Sequence, residues 1–159
     1  MTNLLIAEIE NKTCPVLIIE DSDEDFEAFR RGWRKSGAKN PLYRCDNGDE
    51  ALDFLFHHGE YANQNTIPRP CLILLDLNLP GTDGREILGE IKTNADLKSI
   101  PVIVFTTSAN PKDLEICYQK GANSYIVKPI DMKKLMNTVK TLSQYWFDIN
   151  RPPLHTFEG

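Results

Sequence analysis

The chain has 159 residues, 41% of them apolar, and its 18 basic and 23 acidic side chains leave a formal net charge of -5. This length predicts one domain with a single well-buried core, and an acidic balance without a Lys/Arg block disfavours direct nucleic-acid binding. The only apolar run near the start, Leu4 to Ala7, lacks a basic flank and is far too short for a signal peptide or membrane span, so a cytoplasmic protein without membrane association is expected.

Short apolar runs alternate five times with stretches of helical period, the signature of repeated strand–helix units over a parallel sheet. Val16-Leu17-Ile18-Ile19 is the first strand, and Phe26, Phe29 and Trp33 then recur along one face of a helix ending near Gly37. Leu42 to Cys45 alternates weakly, as an outer strand does, and Ala51, Leu52 and Leu55 give a second helix its core stripe before Gly59 stops it. Glu60 to Pro70 is expected to be loop. Cys71 to Leu75 is the third strand, and Ile87, Leu88 and Ile91 form the buried side of a third helix begun around Gly84.

Val102 to Phe105 makes the fourth strand. Asn110, Pro111 and Asp113 read as N-cap, first helical position and third-position acid of a fourth helix, with Gly121 as its left-handed stop after Leu114, Cys117 and Tyr118. Tyr125-Ile126-Val127 is the fifth strand. Met132, Leu135, Met136, Val139, Leu142 and Trp146 define a long amphipathic last helix, closed off by Arg151-Pro152-Pro153. The order predicts a three-layer α/β/α fold around a doubly wound, five-stranded parallel sheet. It divides the chain into an N-terminal extension (1–14), one domain (15–147) and an irregular tail (148–159).

Cys14, Cys45, Cys71 and Cys117 are widely spaced with no C-x-x-C pair, so reduced, structural thiols are expected. A zinc site fits less well, because neighbouring ligands are missing.

The most informative stretch is Leu72 to Pro80, where four large apolar residues lead straight to the carboxylate of Asp76. Burying an acid costs several kcal/mol unless something neutralises it, which places Asp76 at the mouth of a buried strand. In a doubly wound sheet that edge is the functional crevice. Glu20 and Asp21 end the first strand there, Thr106 the fourth and Lys128 the fifth, so five residues far apart in sequence converge on one pocket. Crowded carboxylates repel by about 4 kcal/mol per close pair at surface-like dielectric. A bound cation resolves the conflict, and few oxygen ligands plus water suit Mg²⁺. Asp76 can then attack an activated phosphoryl group, with the Lys128 ammonium neutralising the oxygens of the in-line transition state.

The motifs I-I-E-D, L-L-D-L-N-L-P-G-T-D-G, V-F-T-T and Y-I-V-K-P, within roughly Pro15 to Tyr145, resemble the receiver domain of two-component response regulators. D-L-N-L-P, G-R-E-I-L-G-E-I-K, the long loop after Gly59 and the final Y-W-F resemble more narrowly the stand-alone receivers of cyanobacterial phytochromes. The resemblance implies a flavodoxin-like sheet of order 2-1-3-4-5 and a stoichiometric phosphoacceptor rather than a turnover enzyme, with Asp76 as the acceptor and a phytochrome-type histidine kinase as the donor. It implies that Asp21 ligates the metal directly and the backbone carbonyl of Asn78 adds a ligand. Glu20 stands where receivers commonly have aspartate, so its longer arm acts chiefly through water. Asn78 and Ser108 resemble the pair that adjusts access of hydrolytic water, and Thr106 with Tyr125 resembles the receiver switch. Read from residues alone, Tyr125 is equally well a packing aromatic, and Asp23, Glu24 and Asp25 are solvated acids at a helix N-terminus.

Too few residues follow Trp146 for an output domain, so the signal is expected to pass through a surface to an unidentified downstream protein. Tyr145, Trp146, Phe147, Ile149, Leu154 and Phe157 make the chain's end apolar, which points to a homodimer through the fourth helix, fifth strand, last helix and tail, or to back-packing on the domain. Two other classes stay open. A haloacid dehalogenase-like phosphohydrolase shares the Asp, Thr and Lys pattern, but Asn78 stands where those enzymes resemble one another in a second Asp, the acid/base. The other is an interaction module that works without phosphorylation.

Overall fold

The computed structural model describes residues 13–62 and 67–153. The N-terminal run Leu4 to Ala7, part of the loop after Gly59, and Leu154 and Phe157 lie outside the described residues. Strands β1 (Val16–Ile19), β2 (Leu42–Cys45), β3 (Leu72–Leu75), β4 (Val102–Thr106) and β5 (Ser124–Val127) form one parallel sheet of order β2-β1-β3-β4-β5. Helices α1 (Asp23–Lys35), α2 (Gly48–Phe56), α3 (Gly84–Thr93), α4 (Pro111–Gln119) and α5 (Met132–Ser143) cover its two faces.

The alternation of side chains along each strand divides the core in two. Leu17, Ile19, Ile73, Leu75, Val102 and Val104 pack on one side against Ala51, Leu55, Ile87, Leu88, Ile91 and Cys117 of α2, α3 and α4. Val16, Ile18, Leu72, Leu74, Ile103 and Phe105 pack on the other against Phe29, Trp33, Val139 and Leu142 of α1 and α5. Both faces are therefore apolar, which is why β1, β3 and β4 read as unbroken apolar runs, whereas β2 at the edge is only partly buried.

Each helix begins with a side chain that accepts from its own first turn: Ser22, Asn47, Asp83, Asn110 and Asp131. The second helix ends earlier than expected, at Phe56, with His57 rather than Gly59 taking the first left-handed position. A 3-10 turn at Gly59–Tyr61 follows within the expected loop, because Tyr61 packs its ring on Phe54 and donates its hydroxyl to Glu50 at 2.8 Å. In α4 only Cys117 is buried, while Leu114, Ile116 and Tyr118 face outward.

Two expectations are corrected. Cys14 and Cys71 form a disulfide rather than separate thiols. Val16 pairs with Leu72 across β1 and β3, so the residues just before both strands are brought together, with Cα atoms 5.9 Å apart. Cys45 and Cys117 are free and buried, and burial pushes the Cys45 thiol up to about 12. Phe147 is not surface: the chain continues past α5 in a wider turn, Gln144–Ile149, that turns Phe147 inward to 5% exposure against the edge of Trp33. Tyr145 and Ile149 remain exposed, with Trp146 half-buried.

Candidate functional site

Strand register assembles the site. Ile19 pairs with Leu75, so the next residues, Glu20 and Asp76, leave the sheet side by side. The Asp76 N–H donates to the Ile19 carbonyl at 3.0 Å, and the Glu20 N–H to that of Cys45 at 3.0 Å. Thr106 pairs with Val127 in the same way, and the following Lys128 N–H donates to the Thr106 carbonyl at 2.7 Å. The Lys128 side chain, 8% exposed, then reaches back across the sheet edge. Its Nζ donates to Asp76 Oδ2 at 3.0 Å and to Asp25 Oδ2 at 3.0 Å, and it pairs with Glu20 Oε1.

One ammonium thus serves three carboxylates, two of them buried. Burial pushes Glu20 up to about 7 against the pull of Lys128, with the neighbouring Asp76 charge adding to the rise. Burial also raises Asp76, but the Lys128 charge and hydrogen bonds from Thr106 and Lys128 together hold it below the usual carboxylate range. Burial opposes the charge on Lys128 as well, yet its pairing with Glu20 and the charge of Asp76 keep it firmly protonated. Two acids sharing one cation are pushed apart: Asp76 stays ionised, and Glu20 bears the cost of crowding.

The loop after β3 is held by two close approaches. A Cβ on Gly84 would stand 2.3 Å from the Asp76 carbonyl oxygen, and one on Gly48 1.9 Å from that of Thr82. Only glycine fits there, and the Gly84 N–H donates to the Leu77 carbonyl at 3.1 Å. Across the site, Arg44 on β2 donates Nε–H to the Glu20 carbonyl at 3.0 Å and pairs with Asp23 at 2.8 Å, with its guanidinium over the Phe26 ring. It anchors the turn that carries Glu20 and Asp21.

Glu20, Asp21 and Asp76 each offer one oxygen, and these lie within 4.8 Å of one another, a donor set suited to a hard divalent cation. The Asn78 N–H donates to Asp76 Oδ1 at 3.4 Å, which keeps the Asn78 main chain beside the carboxylate. Thr106 is fully buried, and its Oγ1 accepts from the Ser108 N–H at 3.4 Å. Tyr125 sits half-buried against the core and donates its hydroxyl to the Ser108 carbonyl at 2.8 Å.

Lys128 therefore joins Glu20 and Asp76 directly, with Thr106 buried beside Asp76, Asp21 at the exposed rim and Ser108 and Tyr125 behind Thr106. Sequence reasoning missed Asp25, which is both a first-turn acid and a partner of Lys128, because an acid at a helix N-terminus needs no further explanation. It also missed Arg44 and the pairing of Arg85 with Asp113, because a contact between separate elements leaves no pattern in the sequence. Tyr145 and Trp146 lie in the turn beyond α5 and take no part in the site.

A carboxylate that is desolvated yet held ionised is a nucleophile, and oxygens placed for a cation beside it allow an anionic phosphoryl group to approach. On a doubly wound sheet of this order, without a glycine-rich phosphate loop, such a site defines a phosphoacceptor protein rather than a nucleotide-binding one. The chain belongs to the response regulator receiver family, whose receiver domain matches residues 16–140. It is 42% identical over 133 residues to the response regulator Rcp1 of Synechocystis sp., covering 84% of this chain and 88% of that protein. It is 36% identical to the probable methanogenesis regulatory protein FilR2 of Methanothrix harundinacea, covering 87% and 86%. Among solved structures, the Mn²⁺-bound form of Rcp1 superposes with a TM-score of 0.83 at 40% identity, covering 89% of this chain and 99% of that one. The phosphorylated cyanobacterial phytochrome response regulator RcpA does so with a TM-score of 0.83 at 37% identity and the same coverage. The protein is thus a phosphoacceptor response regulator of two-component signalling. No helix among the described residues is long and apolar enough to cross a membrane.

Proposed function

We propose that Asp76 accepts a phosphoryl group from the phosphohistidine of a phytochrome-type histidine kinase, in the cytoplasm and once per signalling event. The Asp76 oxygen forms a bond to phosphorus as the histidine nitrogen–phosphorus bond breaks, and the imidazole leaves. The observation that carries this reading is the Lys128 ammonium 3.0 Å from Asp76 Oδ2: it already occupies the place where phosphoryl charge develops.

Mg²⁺ fits this donor set: Asp21, Asp76 and the Asn78 carbonyl would hold it, and Glu20 would act through water. When bound, the ion would supply positive charge that offsets the charge of the phosphoryl group. Thr106, buried beside Asp76, donates its hydroxyl to a phosphoryl oxygen, and Lys128 holds another. Tyr125 then moves with the β4–α4 loop, since its hydroxyl is tied to Ser108. The relatives support the phytochrome pathway: RcpA is itself a phosphorylated phytochrome response regulator, and two bacteriophytochrome response regulators share the fold at 33% and 30% identity.

Output passes through a homodimer face made by α4, β5 and α5, where Leu114, Ile116, Tyr118, Val127, Met132 and Tyr145 are exposed apolar residues. Incubation with autophosphorylated candidate kinases and Mg²⁺, beside the Asp76→Asn protein, tests acceptor, donor and metal together. Label on the wild type and none on the variant is expected; label on Asp76→Asn overturns the assignment.

A further inference from the structure

The strand ends account for Asp76, Glu20, Thr106 and Lys128, but not for a second polar chain that runs outward from them. Thr106 lies buried beside Asp76, and its oxygen accepts the Ser108 N–H at 3.4 Å. The Ser108 hydroxyl donates to Asp113 Oδ2 at 2.7 Å, and Asp113 Oδ1 accepts from Arg85 Nε at 2.9 Å. Arg85 Nη2 lies 2.8 Å from the same Asp113 oxygen, and Arg85 Nη1 is anchored in turn by Asp83, the N-cap of α3, at 3.0 Å. Asp113 is 16% exposed and Arg85 24%, so both are packed between α3 and α4 rather than waving in solvent. The two strong bonds hold the Asp113 carboxyl below its ordinary range.

Ser108 is committed at every polar atom. Its carbonyl accepts from Tyr125, its N–H points to Thr106, and its hydroxyl donates to Asp113 while accepting the Asn110 N–H at 3.3 Å. A serine two residues beyond Thr106 has a hydroxyl able to orient water, and here a buried-side carboxylate has captured it. An aspartyl phosphate decays when a water oxygen attacks phosphorus: the bond to the Asp76 oxygen breaks, the carboxylate leaves, and inorganic phosphate and a proton are released. Any group that accepts a hydrogen bond from that water speeds the step.

We propose that Asp113, fixed by Arg85, is a positioning residue that sets the lifetime of the phosphorylated protein by holding the Ser108 hydroxyl away from the phosphoryl group. The inference rests on Asp76 being the acceptor. It assigns a function to an ion pair between α3 and α4 that reaches the phosphoryl site only through Ser108.

The full chain is labelled with radioactive acetyl phosphate and Mg²⁺, freed of donor, and followed for loss of label. Asp113→Ala releases the hydroxyl, and the rate constant for loss is expected to rise about fivefold, the equivalent of one hydrogen bond. Arg85→Ala, which leaves Asp113 in place but unanchored, shifts the rate in the same direction and by less. In a Ser108→Ala background the Asp113→Ala change has no further effect, a dependence that a general loosening of α4 does not produce. Thermal unfolding of each variant confirms that it is folded. Equal decay of wild type and Asp113→Ala overturns the proposal, as does an Asp113→Ala effect that persists without the Ser108 hydroxyl. Failure of the wild type to take up label from any donor instead overturns the acceptor assignment.

Discussion

Gly84 packs directly on the main chain of Asp76: a Cβ at position 84 would lie 2.3 Å from the Asp76 carbonyl oxygen and 2.6 Å from the Leu77 Cα. The start of α3 therefore fixes the height at which the Asp76 carboxylate leaves β3. Gly84→Ala must push these backbones apart and is expected to cost about 2–3 kcal/mol of stability, in the range of overpacked cores. Phosphorylation should fall with it even where the protein remains folded. Urea unfolding and label uptake measure the two effects; a variant as stable and as readily labelled as the wild type would show that the loop yields freely.

Lys128 pairs with the carboxylates of Asp76 and Glu20, two of the three that could hold a divalent cation, so the two positive charges would be close neighbours. Lys128→Met removes a buried positive charge next to the cation and should raise Mg²⁺ affinity by at least about tenfold, since a unit charge at such range is worth about 4 kcal/mol at an intermediate dielectric. The same variant should fail to hold the switched state after phosphorylation. Calorimetric titration decides the first point, and weaker Mg²⁺ binding by the variant would refute repulsion between the two charges.

Glu20 binds its proton more tightly in the fold than in the unfolded chain, its pKa being raised from 4.5 to about 7 by burial. Stability in the absence of metal should therefore fall as pH rises between these values, by up to about 3 kcal/mol from this group. Asp76, held below its ordinary range, works in the opposite sense, but its contribution is lost only as pH falls below the usual carboxylate range. Glu20→Gln should flatten the curve between about pH 5 and pH 8. Unfolding in urea with a chelator checks this, and an unchanged slope in the variant would remove Glu20 as its source.

The Cys14–Cys71 disulfide closes a loop of sequence separation 57 and ties the segment before β1 to the start of β3. Chain-entropy arguments give such a cross-link about 4 kcal/mol, with native geometry reducing what is realised. Reductant should lower the denaturation midpoint of the wild type and leave Cys14→Ser/Cys71→Ser unmoved. The same loss of stability in both proteins would place the effect elsewhere.

The sheet and its polar edge were legible in the chain because both faces of β1, β3 and β4 are covered, so their sequences are unbroken apolar runs that can end in a polar residue only at an opening. Glu20, Asp21, Asp76 and Thr106 could be placed together from the sequence for that reason, and Lys128 through the order of strand–helix units, since β5 is only partly buried. The helix starts were legible at Asn110 and Asp113 through local hydrogen-bonding chemistry. Local chemistry is also what concealed the second role of these acids. Asp25 and Asp113 each sit in the first turn of a helix, where an acid is already favoured, and nothing in the sequence reveals that one also reaches Lys128 and the other Ser108 and Arg85.

Phe147 shows the same boundary from the apolar side. The sequence determined that Tyr145-Trp146-Phe147 must avoid water, since three adjacent aromatics carry a large transfer free energy wherever they go. Which of them turns inward was decided by the wider turn after α5, which rotates Phe147 onto Trp33 and leaves Tyr145 half outside. The disulfide is a further case, for Cys14 and Cys71 meet only because β1 and β3 are neighbours in register. Periodicity and local capping depend on residues a few positions apart and are written in the chain. Contacts across the sheet edge and between helices depend on register and packing, and these exist only once the whole core has closed.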